Sequence, residues 1–574
     1  MTPPLSIRGC PLDFGGVLDK ETKAMETCIA SIEGTVLFVV DPLLLNQLLF
    51  ASVLKSDSNY VKLSKEEILV EEGTVLFIIP TQVASTHLAA YHIRKLKEKG
   101  NQIQFHILFC PGKSIMCSQC LREEKVLGDV TIHSASFNVI PLDEDIVSME
   151  INNAFSRLYL KKDKSMSMQV MQLVCQIQEM SAGISEIHGI GDEAIHIMEL
   201  LQKQKKLAHA SPSGKLPVRH LILLDRSTDF TSLFVTPLTY EGLVDELLQI
   251  HCDTVTVSAS TIGRRDEAPV SLRLSNDDDL FSELRDANIC MLPAELQRKL
   301  YATQQESMQA ASEGKTFSKA DAFDQLQIHQ GLSDAVTATT NGYLFRQQWQ
   351  MEHEILAGEN LLDYIVERVT LQDSLLRVTR FLCLFSLVNG GLRAKDFDTV
   401  RKELVQTYGY ETLLFLRRLE AARLLVRRER DRNYSALRNK LQLVKDVSGE
   451  NVAEMHYVTS GYAPVSAKLV ERILGGEGVS ADVARLVGCE YDHEVLQRPR
   501  EEAKQAVVVF FVGGVTYMEI AALRFLAKKN NFPYELIIMT TNITSGNRVL
   551  NELQATEPLK LPPAEQSSNS YNPF

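Results

Sequence analysis

Short apolar runs rich in β-branched and aromatic residues recur through the first third of the chain. Thr35–Val40 (TVLFVV), Thr74–Ile79 (TVLFII) and Ile103–Phe109 (IQFHILF) are such runs. Runs of this kind suit strands buried on both faces of a parallel sheet. Between the second and third lies Val83–Lys99, with Arg94, Lys95, Lys97 and Lys99 crowded at its end and Gly100 following. That pattern predicts a helix with a glycine stop. Phe137–Leu142 (FNVIPL) reads as a further strand. The sequence therefore has the βαβ rhythm of a layered α/β fold.

The stretch Ser165–Leu207 is mostly helical in character, broken once by Gly183, Gly189 and Gly191. After a Ser-Pro-Ser-Gly loop (Ser211–Gly214), His220–Leu224 (HLILL) predicts a strand whose end carries Asp225, Arg226 and Asp229. From about Pro237 to Val447 the strand rhythm fades. Asn276 and three aspartates open a helix over Asn276–Ala302, because such residues cap and complement a helix start. A long polar helical region runs from about Glu295 to Ser318, and Asp321–Gly331 and Ala335–Leu356 read as further helices. Apolar density rises over Leu361–Val388, Val400–Tyr408 and Thr412–Val426. The block is predicted to be a helical domain, looser in its first half and tighter in its second. Strands return at Val507–Val512 (VVVFFV) and Glu535–Thr540 (ELIIMT), with a helix over Thr516–Lys528 between them. An α/β sheet that resumes after a helical insertion explains this order, since insertions leave at strand ends. The Pro- and Ser-rich stretch from about Glu557 is predicted to be disordered.

At 574 residues, about three or four domains are expected. Sixty basic against seventy-three acidic residues leave a net charge of −13, which disfavours broad nucleic-acid binding. No run approaches the ~18–20 apolar residues of a bilayer crossing. Ten cysteines are too sparse for a disulfide scaffold, and without an apolar signal core in Met1–Cys10 they are expected to be reduced cytosolic thiols.

Several motifs each admit two readings. Phe510–Val515 (FFVGGV) could present the backbone N–H groups after Gly513 and Gly514 to a phosphate. It is neither a P-loop nor a G-x-G-x-x-G, and a tight turn with close helix–strand packing is the stronger reading. Asp192 and Glu193 after Gly189 and Gly191 read as helix capping, because acidic residues there would repel phosphate. Asp225 and Asp229 flank Arg226 at a strand end, where a metal or an acid/base pair would sit in an enzyme. Aspartates held by backbone N–H groups or by arginine are the commoner case. Cys117-x-x-Cys120 lacks two further zinc ligands at matching spacing, the thirteen histidines form no H-E-x-x-H, and no G-x-S-x-G is present. No catalytic residue, metal or cofactor is therefore expected. The arginines of Arg417–Arg432 form either a patch for an acidic partner or a solvated helix face; the face is favoured. Tyr434, Leu437 and Leu441 make a short helical stripe, either core or a dock for a partner helix. Asn572, Pro573 and Phe574 can form a turn that inserts Phe into a pocket such as that of an EH-type domain.

Taken together, Leu221–Asp229 (LILLDRSTD), Thr236–Glu246 (TPLTYEGLVDE), Tyr457–Lys468 (YVTSGYAPVSAK) and Val509–Leu526 (VFFVGGVTYMEIAALRFL) resemble the signatures of the Sec/Munc (SM) family of SNARE-binding proteins. Val147–Glu150 (VSME) and Leu404–Leu413 (LVQTYGYETL) resemble its vacuolar protein sorting-associated protein 33 branch. The resemblance implies a three-domain arch of two parallel-sheet α/β domains, with a mainly helical third domain inserted in the second. Its implied boundaries are 1–134 for the SNARE-binding first domain, 135–235 and 457–556 for the second, and 236–456 for the third, with an outer part at 236–356 and an inner part at 357–456; a tail at 557–574 follows. It implies no catalysis. The partners implied are syntaxin-like and R-SNARE proteins and a scaffold subunit similar to vacuolar protein sorting-associated protein 16, touched through Tyr434 and Leu437. The implied place is peripheral, on late endosomes, lysosomes or vacuoles. Asp225, Arg226, Asp229, Gly513 and Gly514 are read as structural. The rivals are a nucleotide-binding α/β enzyme and a tethering scaffold without SNARE contact.

Overall fold

The computed structural model describes residues 10–555 apart from 55–58, 71, 100–102, 136–137, 205–215, 265–267, 313–319, 429–432, 447–452, 498–503 and 530–531. Each apolar run of the first third is a strand. β1 (Val36–Val40), β2 (Tyr60–Lys62), β3 (Gly73–Pro80), β4 (Ile103–Cys110) and β5 (Val130–Ser134) form a parallel sheet in the order β2-β1-β3-β4-β5. Central β3 is buried from Thr74 to Pro80, as a strand covered on both faces must be. The helix Val83–Glu98 lays Ala89, Ala90, Ile93 and Leu96 into the core that holds Phe77 and Phe105.

A second sheet is assembled from both sides of a helical insertion. Its strands are β6 (Ile140–Pro141), β7 (Ile146–Ser148), β8 (Ile184–Ile190) and β9 (Val218–Asp225). A small antiparallel pair, β10 (Thr254–Val257) and β11 (Val270–Arg273), stands apart. The main sheet then resumes with β12 (Tyr491–Val495), β13 (Gln505–Val512) and β14 (Tyr534–Thr540), in the order β12-β8-β9-β13-β14-β7-β6. Its interior is parallel; only the edges β12 and β6 run antiparallel. The central neighbours β9 and β13 come from opposite ends of the insertion and pair residue for residue, 221–224 against 508–511. Between them lie the helices Leu292–Ser312, Ala320–Thr340 and Tyr343–Ala357, then the tighter set Leu362–Thr370, Leu375–Val388, Ala394–Tyr408 and Thr412–Ala421. Every residue from Val378 to Val388 is buried, so that helix is the axis of the insertion's core.

Four expectations change. The stretch 165–207 is not one broken helix but the helices Ser165–Met180 and Asp192–Lys203 on either side of the buried strand β8. The strand expected over 137–142 shortens to Ile140–Pro141, an edge position that tolerates proline's missing N–H. The helix expected over 276–302 divides into Asp279–Leu284 and Leu292–Ser312, with Asp278 capping the first through Leu280 N at 3.0 Å and Phe281 N at 3.1 Å. The boundary expected after Gly331 falls instead before Gly342. Gly331 lies inside the helix Ala320–Thr340, where its missing side chain serves packing: a Cβ there would run into the carbonyl of Thr261.

The last helix, Gly546–Gln554, returns beneath Ala154–Tyr159, where Glu552 accepts the Ser156 N–H at 3.2 Å. Burial pushes the Glu552 carboxyl up from its ordinary 4.5 to about 7, against the lowering effect of that hydrogen bond. The folded state therefore holds a proton between these values that the unfolded chain releases, and stability falls as pH rises through that window. Glu552→Gln keeps an acceptor for Ser156 and removes the ionisation. It should be more stable than wild type at pH 8, by about 1–3 kcal/mol, and nearly equal to it at pH 4; paired thermal melts at the two pH values check this.

Candidate functional site

Where β9 ends, three chain segments converge on one arginine. Asp225 closes the strand, and the turn Arg226–Asp229 and helix Thr231–Phe234 follow at once. Arg226 is 1% exposed. Its guanidinium grips Glu519 with Nη1 to Oε2 at 2.6 Å and Nη2 to Oε1 at 2.7 Å, and also donates to the carbonyls of Gly514 and Asp229. Burial alone would pull the Arg226 guanidinium down; the Glu519 carboxylate outweighs it and holds it above its ordinary value. Glu519 sits three residues into the helix Tyr517–Ala527 and completes a capping box with Thr516, accepting Thr516 N at 3.0 Å. Ser466 donates its hydroxyl to Glu519 and its N–H to Asp229 Oδ2 at 3.0 Å. Asp229 also accepts the N–H of Ser232 at 3.0 Å and its hydroxyl at 2.6 Å. All these groups are buried.

Asp225 serves a second helix. It accepts the hydroxyl of Tyr159, Ser227 N at 2.8 Å and Glu193 N at 2.9 Å. Asp192 and Glu193 lie in the first turn of Asp192–Lys203, as expected, where the macrodipole favours them; the hydrogen-bond acceptor at that helix start is Asp225. Gly191 permits the approach: its φ is +98°, and a Cβ would meet the Cβ of Asp225. Burial raises the Asp225 carboxyl despite these donors.

The Gly513-Gly514 turn leaves no cradle for a phosphate. Both residues have positive φ, +101° and +109°. A Cβ on Gly513 would lie 2.9 Å from the Arg226 Cβ, and one on Gly514 would lie 2.7 Å from the Thr544 methyl. The following helix start, where an anion would bind, already carries the Glu519 carboxylate. This strand end is filled, and its charged groups are matched, although Arg226 Nε and the Thr544 hydroxyl are buried without a hydrogen-bond partner.

Cys117 and Cys120 are buried on the helix Ile115–Glu123 and face the first sheet's core side. Of the arginine-rich stretch, Arg418 donates to the carbonyls of Leu553 and Ala555 at 2.9 and 3.0 Å, whereas Arg417, Arg423, Arg427 and Arg428 are exposed, as a solvated face requires. Tyr434 and Leu437 are only 9% and 6% exposed, so the stripe on Tyr434–Leu441 points inward and is core in the isolated chain. Asn572, Pro573 and Phe574 lie outside the described residues. Large apolar side chains do reach solvent elsewhere. Ile115 (89%) and Met116 (66%) stand at the edge of the first α/β unit, and Tyr301 (64%), Tyr343 (74%) and Leu344 on the outer helices of the insertion.

The sequence matches the Sec1 family over residues 45–552. The chain belongs to the Sec1 family. Vacuolar protein sorting-associated protein 33A of Drosophila melanogaster is 30% identical, over 85% of this chain and 88% of that protein. The vacuolar protein-sorting-associated protein 33 homolog of Arabidopsis thaliana is 29% identical, over 94% and 97% respectively. Two solved structures share the fold: the Unc18–syntaxin 1 complex from Monosiga brevicollis, at TM-score 0.55 and 14% identity over 94% of this chain and 99% of that one, and the SM protein Vps45 in complex with the Qa SNARE Tlg2, at TM-score 0.54 and 12% identity over 94% and 97%. The expected SM fold and its vacuolar branch are thereby found. Within this Sec1-family chain, the signature residues Asp225, Arg226, Asp229, Gly513 and Gly514 are the ones that fill the strand end.

One polar cluster escaped the sequence reading altogether. Glu186 and His188 of β8, His220 of β9 and His493 of β12 meet on one face near the opposite end of the second sheet. The only signal was the E-x-H alternation at 186–188, hidden inside a stretch read as helical.

Removing one partner of a buried pair strands the other. Glu519→Ala should lower stability by about 3–5 kcal/mol, and Glu519→Gln, which keeps the hydrogen-bond acceptor, by less. Denaturant unfolding of the two variants beside wild type tests the order.

Proposed function

We propose that this chain is a SNARE chaperone of the vacuolar or lysosomal route, acting as a template and catalysing no bond chemistry. The match to the Sec1 family over 45–552 carries this reading. Relatives named for vacuolar protein sorting and neighbours of the same fold solved with syntaxin 1 or a Qa SNARE support it. The geometry agrees in two respects. The strand end that would house enzyme chemistry is packed with Arg226 and Glu519, and apolar side chains reach solvent on the first α/β unit and on the outer helices of the insertion. We assign SNARE helices to those surfaces: the domain of residues 1–134 and the outer helical part at 236–356. Syntaxin-like and R-type helices laid there would lose part of their chain entropy on the scaffold before pairing.

Membrane association in this reading is peripheral and through partners, on late endosomes, lysosomes or vacuoles. No helix among the described residues is long and apolar enough to cross a membrane. A subunit similar to vacuolar protein sorting-associated protein 16 is assigned to the helix Tyr434–Leu441. Its exposed residues Ser435, Asn439 and Lys440 would meet that subunit, while buried Tyr434 and Leu437 set the helix from beneath. Asn572–Pro573–Phe574 is assigned to EH-type domains.

Capture of isolated SNARE motifs tests the template. Tyr301→Asp with Tyr343→Asp should cut capture at least tenfold and leave the melting temperature unchanged, because both side chains are exposed. Wild type capturing no more than it does of a control helix would sink the reading and leave a tethering scaffold without SNARE contact. On the other surface, Lys440→Glu should weaken co-purification with the scaffold subunit without a melting shift. Tyr434→Asp should melt early, since its charge would be buried within the chain. Loss of residues 572–574 should abolish binding to an EH-type domain and leave the melt unaltered.

A further inference from the structure

We propose that Glu186, His188, His220 and His493 form a zinc-type divalent-cation site on the second sheet, distinct from the proposed SNARE surfaces and independent of that reading. Strand register builds it. Glu186 and His188 are two apart on β8 and share a face. His220 of β9 is the register partner of Glu186, and His493 of β12 that of His188. Three strands thus bring four side chains to one patch, with His493 standing 305 residues along the chain from its register partner His188.

The polar atoms of the four side chains converge around Glu186 Oε2. Glu186 Oε2 lies 3.3 Å from His220 Nδ1, 3.5 Å from His493 Nε2 and 3.7 Å from His188 Nε2. His188 Nε2 is 3.2 Å from His220 Nδ1. Four-coordinate zinc with bonds of about 2.0–2.1 Å sets adjacent ligand atoms about 3.3–3.4 Å apart. Glu186, His188 and His493 bring ligand atoms within 4.8 Å of one another, and His220, which reaches Glu186 and His188 but stands outside that set, would close the fourth corner by rotation of its ring.

The surroundings orient these ligands as metal sites do. The Nδ1 of His188 faces the Tyr491 hydroxyl at 3.1 Å, which leaves Nε2 for the shared centre. Arg219 Nη2 holds the far oxygen of Glu186, Oε1, at 2.9 Å and leaves Oε2 free. His188 and His493 stack with ring centroids 4.4 Å apart, and the edge of Tyr534 closes on His220 at 5.8 Å. Three imidazoles and one carboxylate suit zinc over magnesium or calcium, which take oxygen shells. The bound ion would fasten the antiparallel edge strand β12, the first strand after the insertion, to β8 and β9 before it.

Full-length chain stripped with a chelator and titrated with Zn²⁺ or Co²⁺ tests the site. One equivalent should bind and raise the melting temperature by several degrees. Co²⁺ should give the visible bands of a four-coordinate ion without thiolate charge transfer, which excludes the ten cysteines. His493→Ala, at a partly exposed edge position, should weaken affinity at least tenfold, erase the Co²⁺ bands and leave the metal-free melt unchanged. Glu186→Gln should weaken it as well. No stoichiometric binding by wild type, a thiolate band, or equal affinity in His493→Ala would each overturn the proposal.

Discussion

The bidentate pair between Arg226 and Glu519 is the constraint on which the rest of the second domain depends. Each charge withdrawn from water costs several kcal/mol unless it is matched, and here the match lies 293 residues along the chain. The pair exists only when the end of β9, the loop before Ser466 and the capped start of the helix Tyr517–Ala527 are all in place. A local misfit in any of the three would strand a buried ion. The network therefore makes assembly of the sheet conditional on correct placement of both ends of the insertion.

The same filling decides what this strand end can do. In a doubly wound sheet the carboxyl ends of the strands are where ligands bind. Here that place holds Arg226, Tyr159 and Thr544 against the two glycines, and two helix N-termini are satisfied by Asp225 and Glu519. The proposed recognition surfaces lie away from it, at exposed apolar side chains on the first α/β unit and on the outer helices. A rigid frame with remote surfaces fits the proposed template, because the frame meets part of the ordering cost of flexible helices in advance.

The strands most readily read in the sequence were those whose two faces are both apolar, such as β3 and β13; β4 was read from its continuous apolar end at Ile107–Phe109, although Gln104 and His106 share one face. β8 could not, because Glu186 and His188 look solvent-directed until their cross-strand partners are known. β10, β11 and β12 failed for a related reason: partly exposed strands of four or five residues carry too few apolar positions to show a period. At the filled strand end, the structural reading of Asp225, Arg226 and Asp229 followed from chemistry alone. Their partners did not, since Glu519 and Ser466 are remote in the chain and become neighbours only through β9–β13 pairing. The stripe at Tyr434 and Leu437 had the correct spacing, but spacing does not say whether a helix faces its own core or another protein.

The placement of the insertion has a simple energetic basis. Its two ends are held by one carboxylate: Asp229, just after β9, accepts the backbone of Ser466, where the chain returns. Once the ends are fixed at hydrogen-bond distance, the closure cost grows only by about 0.6 kcal/mol per doubling of the enclosed length. A helical domain with a buried axis of its own at Leu375–Val388 offsets that small term many times over. The sheet thus tolerates a large helical insertion at this point because Arg226, Asp229 and Glu519 clamp the doorway, and the insertion can vary its outer helices without disturbing β9 or β13.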